Sequence, residues 1–169
     1  MTKSPKKIHQ IIIAIFFLNL IFLSGCRSTE NVNSNNSNTT TKTAKKNAPS
    51  DNLEELLNLV KLPVVPTDVV WSEEELQNKK KLTAVLEYKP EDLPAIQNVL
   101  EKYKQPEPSE VGVEDWFPEQ LKAKAQLSGV EVINGTGFGA NEFFNIPYGS
   151  GKITRIEGTN YFVLELQTN

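Results

Sequence analysis

Residues 27–50 hold only three apolar side chains, Val32, Ala44 and Ala48, and this break decides where in the chain a core can form. Asn, Ser, Thr and Lys dominate the stretch, and no apolar periodicity crosses it. Such a composition buries too little surface to offset the entropy of ordering it. It is expected to be a disordered tether, about 25–30 Å from end to end as a flexible coil. Residues 51–169, by contrast, interleave apolar, charged and turn residues over 119 positions. That length suits one domain, burying well over half of the surface its unfolded chain exposes.

Charge divides at the same place. The polar stretch carries Arg27, Lys42, Lys45 and Lys46 against Glu30 alone. The body carries 11 Lys and Arg against 20 Asp and Glu, a net of −9. A domain that acidic repels phosphates instead of releasing their counterions, so no nucleic-acid partner is expected. Anionic lipid repels it weakly too.

Ahead of the polar stretch, Lys3, Lys6 and Lys7 precede an apolar run over residues 11–23, interrupted only by Asn19. The run is shorter than the roughly 20 residues a helix needs to span hydrocarbon. A basic start, an apolar run of this length and small residues after it describe a secretory signal peptide. The run ends Leu23-Ser24-Gly25-Cys26, which holds the chain's only cysteine. This resembles the lipobox of bacterial lipoproteins, an aliphatic residue and two small ones before an invariant cysteine. The resemblance covers residues 1–26 alone, and all four positions fit it. It implies a diacylglycerol thioether on Cys26, cleavage between Gly25 and Cys26, and a membrane association made through a covalent lipid anchor. The chain would then divide into a signal peptide (1–25), a lipidated cysteine and tether (26–50) and a globular domain (51–169) at the surface of the cell envelope. By the same resemblance, Arg27 stands where aspartate commonly retains a lipoprotein in the inner membrane, and so favours the outer membrane of an organism that has one.

Within the body, Leu53, Leu56, Leu57 and Val60 have helical spacing, stopped by Pro63. The segment TDVVW is a short strand candidate, followed by acidic SEEEL and basic KKK, which together suggest a solvated turn. Leu82, Ala84, Leu86 and Tyr88 alternate as on a half-buried strand. A helix is expected from Pro90, with Glu91 and Asp92 at its N-terminus and a stripe of Leu93, Ile96, Leu100 and Tyr103, ended by Pro106 and Pro108. EVGVEDWF suggests a strand, and PEQLKAKAQLSG a helix from Pro118 to Gly129. VEVI suggests another short strand. The C-terminus suggests a hairpin turning at Gly158 and Thr159, with Phe162, Leu164 and Leu166 facing the core. The expected class is α+β: one small domain with a mainly antiparallel sheet and two or three helices.

The lipobox would leave the mature body without cysteine, and the only histidine, His9, would leave with the signal peptide. Histidine-based triads and imidazole or thiolate zinc sites are then excluded. No spaced acidic calcium loop is present, no cofactor or metal is called for, and no catalytic residue is nominated. In INGTGFGANEFFN, Gly135, Gly137 and Ala140 fit a dinucleotide-binding spacing. Pro147 leaves no room for the long helix that this chemistry needs, and only a hairpin follows. A tightly turning glycine loop is the expectation, and Gly135, Gly137, Gly139, Phe143, Phe144 and Tyr148 form the candidate ligand or partner loop. The acidic clusters Glu73-Glu74-Glu75, Glu91-Asp92 and Glu114-Asp115 suggest solvation or structure. Trp116-Phe117, Phe143-Phe144 and Tyr148 suggest core, with one of them exposed beside the glycine loop as the alternative. The leading expectation is an envelope lipoprotein whose acidic domain is a binding or assembly module for an envelope protein partner. A glycan-cleaving hydrolase, which needs two carboxyl groups converging in a cleft, and a passive structural surface lipoprotein stand as alternatives.

Overall fold

The computed structural model describes residues 45–102, 105–129 and 131–169. The lipobox residues Leu23, Ser24, Gly25 and Cys26, and Tyr103 of the expected helical stripe, lie outside the described residues. Among the described residues, seven strands form one antiparallel sheet: β1 (Lys45–Lys46), β2 (Asp68–Leu76), β3 (Lys79–Glu87), β4 (Glu107–Gly112), β5 (Val132–Gly139), β6 (Tyr148–Ile156) and β7 (Tyr161–Thr168). Their order across the sheet is β1-β2-β3-β7-β6-β5-β4. The helices are α1 (Leu53–Leu59), α2 (Leu93–Leu100) and α3 (Glu119–Ser128). The class is α+β, as the mixture of helical and alternating patterns implies.

Local chemistry explains the helices. Asn52 caps α1 by accepting from the Glu55 N–H at 3.1 Å, and the chain turns extended at Val60 before Pro63. Leu56 and Val60 are buried, whereas Leu57 is 42% exposed. Pro90 opens a 3-10 turn, Pro90–Asp92, which leads into α2 and buries Ile96 and Leu100. In α3 the last turn closes on Gly129 at φ +71°, the left-handed conformation that glycine adopts without penalty.

Two expectations about turns are corrected. SEEEL and KKK are not a solvated turn; they are facing arms of the β2–β3 hairpin. Glu74 pairs with Lys81 and Glu75 with Lys80 across the two strands, so opposite charges stabilise the pairing. The turn is Gln77-Asn78, both at positive φ (52° and 65°), as a two-residue hairpin of this twist requires. Likewise, the glycine segment is strand β5, not a loop. An added Cβ at Gly135 would lie 2.3 Å from the Arg155 carbonyl oxygen, and one at Gly137 would lie 2.8 Å from Ser109 Cβ. Glycine is needed there for close approach of neighbouring strands, not for a turn. In place of a long helix after it there is one 3-10 turn, Asn141–Phe143.

The strand expected at EVGVEDWF starts earlier and ends earlier, as β4. Pro108 lies inside it, tolerated because β4 is an edge and no ladder N–H is needed on the open side. Residues 45–50, expected within the tether, pair along the outer edge of β2 through Lys45↔Glu75, Lys46↔Glu74 and a bridge from Ser50 to Trp71.

The sheet is buried on both faces. Leu82, Ala84, Leu86, Tyr88, Phe162, Leu164 and Leu166 point to the first face, where they meet α1, α2, Phe138 and Phe143. Val85, Tyr161 and Val163 point to the second, where Phe117, Leu121 and Ala125 cover them. The expected half-buried alternation therefore holds for the first face only, since the central strands β3 and β7 also carry apolar residues on the other. Residues 113–129 cross the second face: they leave β4, bring Glu114 within 2.8 Å of Lys46 on β1, and turn back through α3.

Candidate functional site

Side chains two apart on a strand share a face, so Gly135, Gly137 and Gly139 leave a strip of β5 without side chains on the second face. Gly137 pairs with Thr154 of β6, and Gly135 pairs with Ser109 of β4. Across this strip the Ser109 and Thr154 hydroxyls meet at 3.0 Å, although β5 lies between their strands. Any larger residue at Gly137 would separate them.

Lys152, two residues before Thr154, reaches over the same strip. Its ammonium donates to Ser109 Oγ at 3.3 Å and to the Glu110 carbonyl oxygen at 3.0 Å. It also sits 3.3 Å from Glu165 Oε2, while Lys81 lies 3.6 Å from Glu165 Oε1. Glu165 Oε2 is buried and accepts no aligned hydrogen bond, so its link to Lys152 is an ion pair without good hydrogen-bond geometry. Two adjoining depressions of about 350 Å³ each lie here, one lined by Ser109, Gly137, Gly139 and Lys152, the other by Lys81, Lys152, Glu165 and Gln167. Together they form a polar trough on the part of the second face that α3 leaves open.

This arrangement suits recognition better than reaction. A serine nucleophile needs a base to take its proton. Lys152 instead donates to Ser109, stays 44% exposed and is paired with a carboxylate. The trough presents the half-exposed Lys152 ammonium beside the partly buried Glu165 carboxylate, a charged pair of the kind that polar groups of another molecule can engage.

A second polar cluster lies on the first face. Glu73 on β2 accepts from the Tyr148 hydroxyl through a short hydrogen bond and from Lys80 at 2.8 Å. The pair reaches across β3 and β7, tying β2 to the start of β6. Burial alone would push the Glu73 pKa up, but the hydrogen bonds from Lys80 and Tyr148 outweigh it and hold the carboxyl below its ordinary value of 4.5. The Tyr148 hydroxyl is pushed far above the usual tyrosine range, first by burial and then by its bond to Glu73. Because the folded carboxyl is depressed, its contribution is present above pH 4.5 and is lost as pH falls through the folded value. Glu73→Gln is therefore expected to flatten the acid limb of a stability-against-pH curve. Tyr148→Phe should cost about 1.5–3 kcal/mol at neutral pH, the range for a hydrogen bond to a charged acceptor. An acid limb identical in Glu73→Gln and wild type would refute the assignment.

Glu73 and Glu165 lie on opposite faces of the sheet, so these two carboxylates cannot flank one bond as a glycosidase pair must. Among the described residues, no group of three or more His, Cys, Asp and Glu is placed to hold a metal ion.

Of the residues nominated from the sequence, the structure brings Gly137 and Gly139 into the trough, leaves Gly135 beside it on the same strand face and sends the aromatics elsewhere. Phe143 and Tyr148 are buried on the first face, and Phe144 packs against the same cluster. Phe117 is buried and Trp116 half-buried on the second. Among the described residues, the large exposed apolar ones are Leu57, Val65, Leu76, Leu127 and Ile146, none of them aromatic. Sequence reasoning did not reach Ser109, Lys152, Thr154, Glu165 or Lys81. Lys152 and Thr154 show the spacing of one strand face, but only the register of β4, β5 and β6 brings them to Ser109. No family model, no curated protein and no solved structure matches the chain.

Proposed function

We propose that the chain is a lipid-anchored protein of the cell envelope whose acidic domain is a binding module, taking an envelope protein partner on the polar trough of its second sheet face. The observation that carries this reading is the strip of β5 glycines, beside which the half-exposed Lys152 links Ser109 to the partly buried Glu165 carboxylate, with the buried Thr154 hydroxyl bonded to Ser109. These groups form ion pairs and hydrogen bonds with one another, and they lack the nucleophile–base relation of a reactive site. The lipobox supports the anchor, residues 27–44 provide the tether, and Arg27 favours an outer membrane where one exists.

A photo-crosslinking side chain introduced at Gln167, on the trough rim, is expected to give a discrete adduct in intact cells. The same group at Glu54, exposed on α1, should give none. Lys152→Glu should reduce the Gln167 adduct at least about fivefold, roughly 1 kcal/mol at the conversion of 1.4 kcal/mol per factor of ten. Equal adducts at both positions, or an adduct indifferent to Lys152 in a variant of unchanged melting temperature, would reject the trough as the binding surface.

A further inference from the structure

The two edges of the sheet are finished differently. β4, at one edge, contains Pro108 between Glu107 and Ser109 and is left open. β2, at the other, is covered by residues 45–50. The cover is made of backbone: Asn47 N–H donates to the Glu73 carbonyl at 3.0 Å, and Ser50 and Trp71 exchange N–H···O bonds of 2.8 Å each. The Asn47 carbonyl also accepts from Ser72 Oγ at 3.0 Å. Side chains add little. Residues 46–49 are all exposed, and none of residues 46–50 belongs to either apolar cluster. Lys46 grips the carboxylates, at 2.9 Å from Glu74 and 2.8 Å from Glu114.

A strand held in this way can leave without uncovering apolar core, so its opening is separable from unfolding of the domain. What it uncovers is β2, nine residues long. The outward Trp71 N–H and the Trp71 and Glu73 carbonyls would be bare, beside two carboxylates on Glu74 and Glu114. An edge of that length is a template for pairing.

We infer that the outer edge of β2 is a strand-acceptor surface for a partner protein, filled by residues 45–50 until an extended segment of the partner replaces them. The chemistry of that segment follows from what it replaces. Its backbone runs antiparallel to β2, with free N–H groups opposite Trp71 and Glu73, and a lysine or arginine takes the place of Lys46 between Glu74 and Glu114. The backbone bonds supply attachment, and the two carboxylates fix the register. This surface is separate from the trough and does not depend on the lipid anchor.

Amide exchange on the wild-type chain reads the opening. The Trp71 N–H, bonded outward to Ser50, is expected to exchange at least about 100-fold faster than the Val163 N–H at the sheet centre. Equal protection would mean that residues 45–50 leave only when the whole domain unfolds, and would overturn the inference. The double variant Lys46→Glu/Ser50→Pro then loosens the cover while keeping Glu74 and Glu114. The probe is a synthetic peptide with the sequence of residues 43–52. In wild type the chain's own segment competes at an effective concentration on the order of millimolar, so the variant is expected to bind the peptide at least about tenfold more tightly. A peptide carrying Lys46→Glu should not bind. No gain in the variant, indifference to charge reversal in the peptide, or a doubling of the variant's mass by pairing with a second copy would each overturn the assignment to a partner protein.

Discussion

Replacing Phe162 with alanine is expected to remove about 3–5 kcal/mol of stability. Phe162 is completely buried in β7, the strand at the centre of the sheet, between β3 and β6. Its ring meets Tyr88 edge-on, with centroids 5.3 Å apart and planes at 90°, an arrangement that contributes beyond the area it buries. Truncation to alanine leaves a cavity that Leu86, Leu164 and the α2 side chains cannot close, because each is already packed in the same cluster. Small domains hold about 5–15 kcal/mol in total, so the variant should sit at the margin of folding. Urea titration measures it as a lower midpoint with an unchanged slope. Leu127→Ala is the matched control: at 90% exposure it should stay within about 0.5 kcal/mol of wild type. A Phe162→Ala loss no larger than that of the control would contradict the core described above.

Replacing Cys26 with serine is expected to move the protein from the membrane fraction to the soluble one. Under the lipobox reading the thiol is the only attachment point for the diacylglycerol, and serine has no thiol to form the thioether. Each buried methylene contributes about 0.8 kcal/mol, so losing two acyl chains removes far more than any weak surface contact could restore. The body gives no compensation, because its net charge of −9 repels an anionic surface. Intact mass is the sharper readout. The wild-type membrane form should lack residues 1–25 and carry acyl mass on Cys26, and the variant should carry none. Identical mass and identical partition in the two proteins would reject the anchor.

Elements whose signals are local are legible from the sequence. Pro90 and the Leu93, Ile96, Leu100 stripe mark α2, Pro118 and Gly129 bracket α3, and Gly158 marks the turn before β7. Where the sequence misleads, the deciding contact is distant. The Glu and Lys runs at residues 73–75 and 79–81 look solvated until each is placed opposite the other. Gly135, Gly137 and Gly139 look like a loop until the Arg155 carbonyl and Ser109 are brought against them. The trough is half legible for the same reason. Its glycines stand out, but Ser109, Thr154 and Lys152 meet only because three strands adopt one register, and Glu165 joins them only because β7 enters between β3 and β6.

That insertion of β7 has a consequence for the order of events during synthesis. β1, β2 and β3 form one part of the sheet and β6, β5 and β4 the other, and β7, made after all of them, is the strand that joins them. A nascent chain lacking residues 161–168 has two sheet fragments whose inner edges are unpaired. The long-range pairing that completes the domain waits for the last strand, which slows closure. A chain with this topology closes its sheet only when its last-made strand is available to sit between the two halves.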